Sequence, residues 1–365
     1  MAQVSFWNRR NRTIVIGAVP VIALVSLLGM PRIPGTDIDL TVPYAAEGKG
    51  PTFNTLGDVD GRPVVQIEGE EPDKTTGHLN MTTVSVRTNM TFAQAMSRWL
   101  TTDDTLVPIE QVLPSGKSQE EVREQNAAAF AASESNATIS AMNYLKCPLE
   151  TMVVNVREGS PAADVIKVND IITKIDDQKV TLPDDLAKLV QEHKPGEDIT
   201  VTVLRQSREK TFTVKLAETP KKLLPPHTKG PVAFLGVTSV AQPSGDLKVK
   251  YNLTDIGGPS AGLMFSMAVV DKLSPDNLTD GKFVAGTGTI DAEGKVGPIG
   301  GITHKIAAAK DAGATVFLVP DQNCKEAVTG DVDGITLLKV DSLSDAINDL
   351  KTYNSGGNAS TCQAG

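Results

Sequence analysis

Short apolar stretches, several of them alternating with polar residues, recur along the chain and predict β-strands. The predicted strands cover 63–67, 81–86, 151–156, 171–175, 199–204, 210–216, 234–238, 247–251, 283–290 and 315–320. Segments with recognisable helix starts, such as a capping Thr91 or Ser118, predict helices at 91–100, 118–132, 182–192 and 261–273. The mixture predicts an α+β protein with several domains.

The strongest apolar segment lies near the N-terminus. Residues 13–30 carry no charge and follow Arg9, Arg10 and Arg12. At about 1.5 Å per residue this run would reach roughly 27 Å, so it predicts a transmembrane helix. Basic residues favour the cytoplasmic side, so we expect residues 1–32 to form a cytoplasmic N-terminus and a plasma-membrane anchor, with the main domains extracytoplasmic. A cleaved signal peptide is the alternative.

Composition narrows the classes of function. The chain has a formal net charge of −9, with 40% hydrophobic and 22% charged residues, which is ordinary for a globular protein and argues against nucleic-acid binding. It contains no phosphate-binding loop of the Gly-x-x-x-x-Gly-Lys-[Ser/Thr] type and no zinc-type spacing, so we expect no nucleotide, no cofactor and no metal.

The cysteines form no disulfide framework. In an oxidising compartment Cys324 and Cys362 could pair, and the odd count leaves at least one cysteine free or paired with another molecule.

A cluster of small residues at 257–262, Gly-Gly-Pro-Ser-Ala-Gly, surrounds a serine. We expect Ser260 just inside the start of the apolar helix predicted at 261–273. The neighbours Gly258, Pro259 and Ala261 keep the backbone tight and leave room for a substrate. Free amides at a helix N-terminus can stabilise an oxyanion, which makes Ser260 a candidate nucleophile.

A second cluster, 296–305, supplies a base for that serine. It reads Val-Gly-Pro-Ile-Gly-Gly-Ile-Thr-His-Lys and places Lys305 at the start of another helix of small residues. Burial lowers the pKa of a lysine, so a buried Lys305 can act as a general base. Lys310 is the rival base, but it falls toward the surface face of the helix.

The two clusters resemble the proteolytic domain of the Lon family, which carries a Gly-Pro-Ser-Ala-Gly turn and a Gly-Gly-x-x-x-Lys helix start. The resemblance covers 231–352 and implies a dyad of Ser260 and Lys305. It also implies that Thr287, in a Thr-Gly-x-Ile strand, lies close to the lysine. Gly257 departs from the family, since many members carry aspartate there.

Two other interpretations fit the same residues. The serine also matches Gly-x-Ser-x-Gly of α/β-hydrolases, for which His304 would be the histidine of a triad, although little sequence remains for such a fold. A catalytically silent adaptor or chaperone is the second alternative. His304 should face away from Ser260 if Lys305 faces it, because neighbouring helix positions point about 100° apart.

The middle of the chain, 141–219, resembles a bacterial PDZ domain in its order of strands and helix. Its Gly-Ser-Pro-Ala-Ala at 159–163 and Asn-Asp-Ile-Ile at 169–172 carry the resemblance. A PDZ domain implies binding of extended peptides at a sheet edge. The loop that would hold a peptide carboxylate is expected near 142–145.

The remaining segments complete the predicted organisation. Residues 33–140 form an extracytoplasmic α/β segment of unknown role, 220–230 a proline-rich linker and 353–365 a flexible tail.

The whole layout resembles membrane-anchored, ATP-independent Lon-like proteases. This implies a serine endopeptidase that cleaves extracytoplasmic proteins or peptides, with the PDZ-like domain binding substrate or partner. The resemblance also leaves a homo-oligomer open.

Overall fold

The computed structural model describes residues 9–220, 223–224, 230–254 and 256–363, with side chains from residue 16 onward. Parts of four predicted segments lie outside these residues: 1–8 of the N-terminal segment, 221–222 and 225–229 of the linker, residue 255 of the segment 231–352, and the last two residues of the tail.

The helices occur throughout the described chain. They are α1 Arg9–Gly29, α2 Phe92–Thr101, α3 Gln119–Leu145, α4 Pro183–Gln191, α5 Gly262–Leu273, α6 Ile302–Asp311, α7 Cys324–Ala327 and α8 Leu343–Asn354. The predicted caps of α2 and α3 are confirmed, since Thr91 and Ser118 both form capping boxes.

The strands form two groups along the chain, those that begin before residue 150 and those that begin after it. The first group is β1 Tyr44–Asn54, β2 Asp58–Val59, β3 Arg62–Pro63, β4 Val65–Glu68, β5 His78–Arg87, β6 Thr105–Pro108 and β7 Leu149–Val156. The second group is β8 Ile171–Ile175, β9 Gln178–Lys179, β10 Asp198–Arg205, β11 Arg208–Lys215, β12 Ala217–Glu218, β13 Ala233–Phe234, β14 Val237–Pro243, β15 Lys248–Tyr251, β16 Phe283–Gly286, β17 Thr289–Ile290, β18 Val296–Gly297, β19 Val316–Pro320 and β20 Thr336–Val340.

The first of two six-stranded sheets combines strands from the N-terminal and C-terminal parts of the chain. Its order is β20-β19-β16-β5-β1-β6, with β5, β16, β19 and β20 parallel and β1 antiparallel to both neighbours. Residues from 44–108 therefore share a sheet with residues from 283–340.

Helices cover both faces of this sheet because its strand residues alternate between two cores. Val284 and Leu318 point to one core, which also contains buried residues of α3, α5 and α8. Ala285 and Phe317 point to the other, which contains Ile306 and further buried residues of α6. Helices α5 and α6 are thus held on opposite sides of the parallel strands.

The second sheet has the order β11-β10-β8-β7-β14, with β9 paired to β8. Its apolar face packs on α4, with Val153, Val201 and Leu186 among the buried residues. Strand β14 pairs with β7 from Val237↔Val156 to Pro243↔Leu149. The stretch 234–238, whose pattern predicted a strand of the C-terminal domain, therefore leads into an edge strand of this sheet.

The predicted transmembrane helix is wrong for the part of the chain that the structure describes. Helix α1 begins among the arginines at Arg9, Arg10 and Arg12 and contains Pro20. Among the described helices, none is both long and apolar enough to cross a membrane.

The last described residues of the chain are attached to the first sheet. The amide of Cys362 donates to Leu337 O at 3.0 Å, and Cys362 forms a disulfide with Cys324. The third cysteine, Cys147, is unpaired. The disulfide fixes residues 360–362 beside β20.

Candidate active site

Ser260 lies on the turn that precedes α5, and its side chain is partly exposed. The helix begins at Gly262 with Ala261 as its N-cap. The sequence predicted Ser260 just inside the helix. The structure places it just before the first helical residue. Within the described residues, no acceptor pairs with the backbone amides of Ala261 and Gly262.

Helix α3 holds this turn from one side. The amide of Gly258 donates to Asn126 O at 2.8 Å, and Ser133 Oγ donates to Pro259 O at 3.0 Å. The two elements approach closely at Gly262, where an added Cβ would lie 2.8 Å from both Ile290 Cγ2 and Ser133 Oγ. Only glycine fits at that position without a shift of its neighbours.

The end of β16 holds the turn from the other side. A single strand was predicted over 283–290, but the sheet pairing stops at Gly286 and resumes as a different pair at Thr289. The two residues between them turn toward the serine. Gly288 N donates to Ser260 O at 3.0 Å, and Thr287 Oγ1 donates to the same oxygen at 3.1 Å.

Lys305 reaches this point from the opposite side of the sheet. Its helix, α6, starts after Gly301, which is left-handed with φ 65°. Lys305 is only 2% exposed. Its Nζ lies 2.9 Å from Ser260 Oγ and 2.9 Å from Thr287 Oγ1. The structure thus brings together Ser260, Thr287 and Lys305, beyond the carboxyl end of β16 and between the two helix layers.

Burial sets the protonation of the lysine. It lowers the pKa of Lys305 from 10.5 to about 8, because the ammonium loses hydration and gains no opposite charge. Among the described residues, no carboxylate lies within ion-pair distance of Lys305. With a pKa of about 8, about a tenth of Lys305 is neutral at pH 7, compared with about one molecule in 3,000 at the ordinary pKa of 10.5.

The rival residues have other partners. His304 is buried, and its Nε2 lies 3.0 Å from Thr105 Oγ1 on β6. Lys310 forms an ion pair with Asp331 at 2.7 Å on the surface. Neither contact involves Ser260.

Asn323 supports the loop before α6, and sequence reasoning missed it. Its Oδ1 accepts from Ile299 N at 2.9 Å, and its Nδ2 donates to Ile299 O at 2.9 Å. The side chain is 5% exposed, so it clamps the 297–301 loop from inside. A lone asparagine after the strand at 316–320 carries no sequence signal for such a long-range contact.

The described residues contain no group of three or more His, Cys, Asp or Glu side chains that could hold a metal ion.

A separate groove of about 440 Å³ lies on the second sheet, between α4 and the residues that lead into β14. Ala187 and Val190 of α4 line one wall, and residues 235–237 line the other. Gly236 is left-handed, with φ 91°. The prediction of a carboxylate-binding loop near 142–145 is wrong, because those residues form the last turn of α3 and Met142 is buried. The turn at Gly236 leads into the edge strand β14 and lines the groove instead.

Two family models match separate parts of the chain. The family model described as the Lon protease (S16) C-terminal proteolytic domain matches residues 251–349, and the model described as a PDZ domain matches residues 122–216. The chain therefore carries a Lon-type proteolytic domain and a PDZ domain. No ATPase domain was found.

Sequence relatives agree with this assignment over part of the chain. Lon protease 2 of Bacillus subtilis is 35% identical over 98 residues, which are 26% of this chain and 17% of the relative. Lon protease of Trichlorobacter lovleyi is 44% identical over 69 residues, which are 19% of this chain and 8% of the relative. The matches thus span less than a fifth of these curated relatives.

Among solved structures, the PDZ domain of the SdrC-like protein from Listeria monocytogenes is 23% identical. The match covers 25% of this chain and 86% of that chain, with a TM-score of 0.22. A TM-score this low does not support a fold assignment.

Proposed function

We propose that the protein is a serine endopeptidase in which Ser260 is the nucleophile and Lys305 the general base. The observation that carries this proposal is the 2.9 Å contact between Lys305 Nζ and Ser260 Oγ, made by a lysine that is 2% exposed. Two features support a nucleophilic serine: a base within hydrogen-bond reach and a buried environment that lowers the pKa of this base.

The proposed reaction is acyl transfer. Neutral Lys305 accepts the hydroxyl proton of Ser260 while Oγ attacks the carbonyl carbon of the substrate, and Lys305 then returns that proton to the leaving amine. Water subsequently hydrolyses the acyl-serine with the same lysine as base. Thr287 accepts a second hydrogen bond from Nζ at 2.9 Å and so orients the amine.

The amides of Ala261 and Gly262 are the proposed oxyanion donors. They stand at the N-terminal end of α5 without an acceptor among the described residues, and a helix N-terminus favours negative charge. Substrates are proposed to be proteins or peptides, cleaved without ATP, since the sequence contains no phosphate-binding loop.

The proposal makes a pH prediction. Because Lys305 has a pKa of about 8 and must be neutral to act, kcat/KM should rise with pH through about 8 and fall roughly tenfold per unit well below it. Peptide cleavage measured from pH 5 to 9.5 checks this. A profile that is flat through pH 8 would contradict a lysine base.

The same shift affects stability with a defined sign. The folded pKa of about 8 lies below the unfolded 10.5, so between these values the unfolded chain binds more protons. The contribution of this lysine to stability should therefore rise with pH across that window, and its protonation should oppose folding below pH 8.

The groove beside β14 is proposed to bind an extended segment of a protein substrate or partner. Strand β14 is an edge strand, so a peptide can add to it, and the apolar wall of α4 can take alternate side chains. Ala187 is exposed on that wall.

Replacing Ala187 with tryptophan should block the groove and slow cleavage of folded-protein substrates about tenfold. Cleavage of short peptides should change little, because the groove lies on the other sheet. Kinetics with both kinds of substrate check this, with Glu209→Trp on the opposite edge strand β11 as matched control. Equal protein cleavage by the two variants would argue against a role of the groove in substrate binding.

We also propose an extracytoplasmic location. Its support is the Cys324–Cys362 disulfide, since such bonds persist in oxidising compartments and are rare in the cytosol. Cells are quenched with acid, and the protein is unfolded and treated with a thiol-alkylating reagent. Cys147 should be labelled at this stage, whereas Cys324 and Cys362 should be labelled only after reduction. Free thiols at both positions in freshly quenched cells would contradict the location.

A further inference from the structure

A cleft of about 710 Å³ opens beside the serine turn. The start of α3, the end of β5 and the segment 111–114 form its walls. Half-exposed or partly buried apolar side chains contribute much of the lining: Val86, Val112, Leu113, Pro114, Val122 and Ile256. Its walls up to residue 127 lie outside the matched proteolytic domain, in a segment to which the sequence assigned no role.

Several polar residues of the cleft bond to neighbouring side chains. Gln119 Nε2 donates to Thr88 Oγ1 at 3.0 Å, and Lys117 Nζ donates to Gln125 Oε1 at 2.8 Å. In contrast, Val86 keeps 43% of its surface exposed. The cleft therefore offers apolar surface to a ligand, and its volume lies in the range of ligand-binding pockets.

The cleft is continuous with the serine turn. Gly257 lines it, and Asn126, which also lines it, accepts the hydrogen bond from Gly258 N. Gly257 is three positions from Ser260, so their Cα atoms are at most about 11 Å apart. An extended substrate rises about 3.3 Å per residue and covers this distance in about three residues.

We propose that this cleft is a substrate subsite that accepts an apolar side chain about three residues from the scissile bond. The inference rests on the proposed function, because the occupant is the polypeptide whose carbonyl is attacked by Ser260. The proposed subsite gives the 86–127 segment a role, because residues of this segment would contact the substrate and contribute to its selection.

The test is a competition experiment with peptides that differ only at positions two to four residues from the cleaved bond. The measured quantity is the ratio of kcat/KM for leucine over aspartate at each position. The wild-type protein should prefer leucine at one position about three residues away. Val122→Asp should reduce that ratio by about 10- to 200-fold, the range for loss of an apolar pocket contact.

Val86→Asp is the second variant, because its exposed site tolerates a charge without affecting folding. The matched control is Val168→Asp, which replaces a 52% exposed valine in the domain of the second sheet and should keep the wild-type ratio. Wild-type ratios in both cleft variants, with cleavage intact, would overturn the subsite alone. A folded wild-type protein that cleaves no peptide would overturn the proposed function, and the subsite with it.

Discussion

Lys305→Arg is expected to lower kcat/KM for peptide cleavage by about 10³- to 10⁴-fold while the protein stays folded. Loss of a general base has this order of effect. Arginine keeps the positive charge and approximate length, but its guanidinium has so high a pKa that it stays protonated at any pH of the assay. Ser260 would then face a permanent cation that can donate to Oγ and cannot accept its proton.

The matched control is Lys310→Arg on the same helix. Lys310 is at the surface in an ion pair with Asp331, which arginine can also make, so cleavage should stay within about twofold of wild type. Circular dichroism and thermal unfolding establish that both variants are folded. Substantial cleavage by Lys305→Arg would exclude the lysine as base.

Gly262→Val is expected to cause the second large loss. A Cβ at this position already lies within 2.8 Å of Ile290 Cγ2 and Ser133 Oγ, and valine adds two further methyl groups in that space. Overpacking of this kind costs about 1–3 kcal/mol of stability. The turn that carries Ser260 should shift away from Lys305, and a displacement near 1 Å costs about 10²-fold in rate.

Denaturant unfolding and peptide kinetics measure the two parts of this prediction. Gly17→Val is the control, because nothing lies within 4 Å of its added Cβ in helix α1. A Gly262→Val protein with wild-type rate and stability would show that α3 does not hold the serine turn as tightly as described.

The principal site residues could be predicted from the sequence because their signals are local. A serine between glycines before an apolar helix, and a lysine after paired glycines, mark two helix starts within short stretches. Their proximity was implied by family resemblance alone. The structure places Lys305 Nζ 2.9 Å from Ser260 Oγ.

The supports of the site could not be predicted, because they come from distant parts of the chain. Ser133 contacts Pro259 across 126 positions, and Asn126 contacts Gly258 in the same way. The helix that carries them was predicted to end near residue 132 but continues to Leu145. Beyond residue 132 the sequence has no periodic apolar face, so the pattern did not predict that the helix continues.

Strand partners were the other missed feature. The pattern at 234–238 predicts a strand but carries no information about its neighbour, and β14 pairs with β7 rather than with the C-terminal strands. Likewise the strand at 283–290 divides because Gly288 donates to Ser260 O instead of continuing the ladder. Alternation shows which residues are extended; pairing is decided by tertiary contacts.

The most direct test of the proposed dyad is covalent labelling with a small fluorophosphonate, followed by peptide mass spectrometry. We expect one adduct, on Ser260, whose rate of formation rises with pH through about 8 in the wild-type protein. Ser260→Ala should show no adduct, whereas Ser266→Ala, a buried serine of α5 bonded to Leu263 O, should be labelled. A folded wild-type protein that is unlabelled at Ser260 at every pH would contradict the account and favour a catalytically silent adaptor.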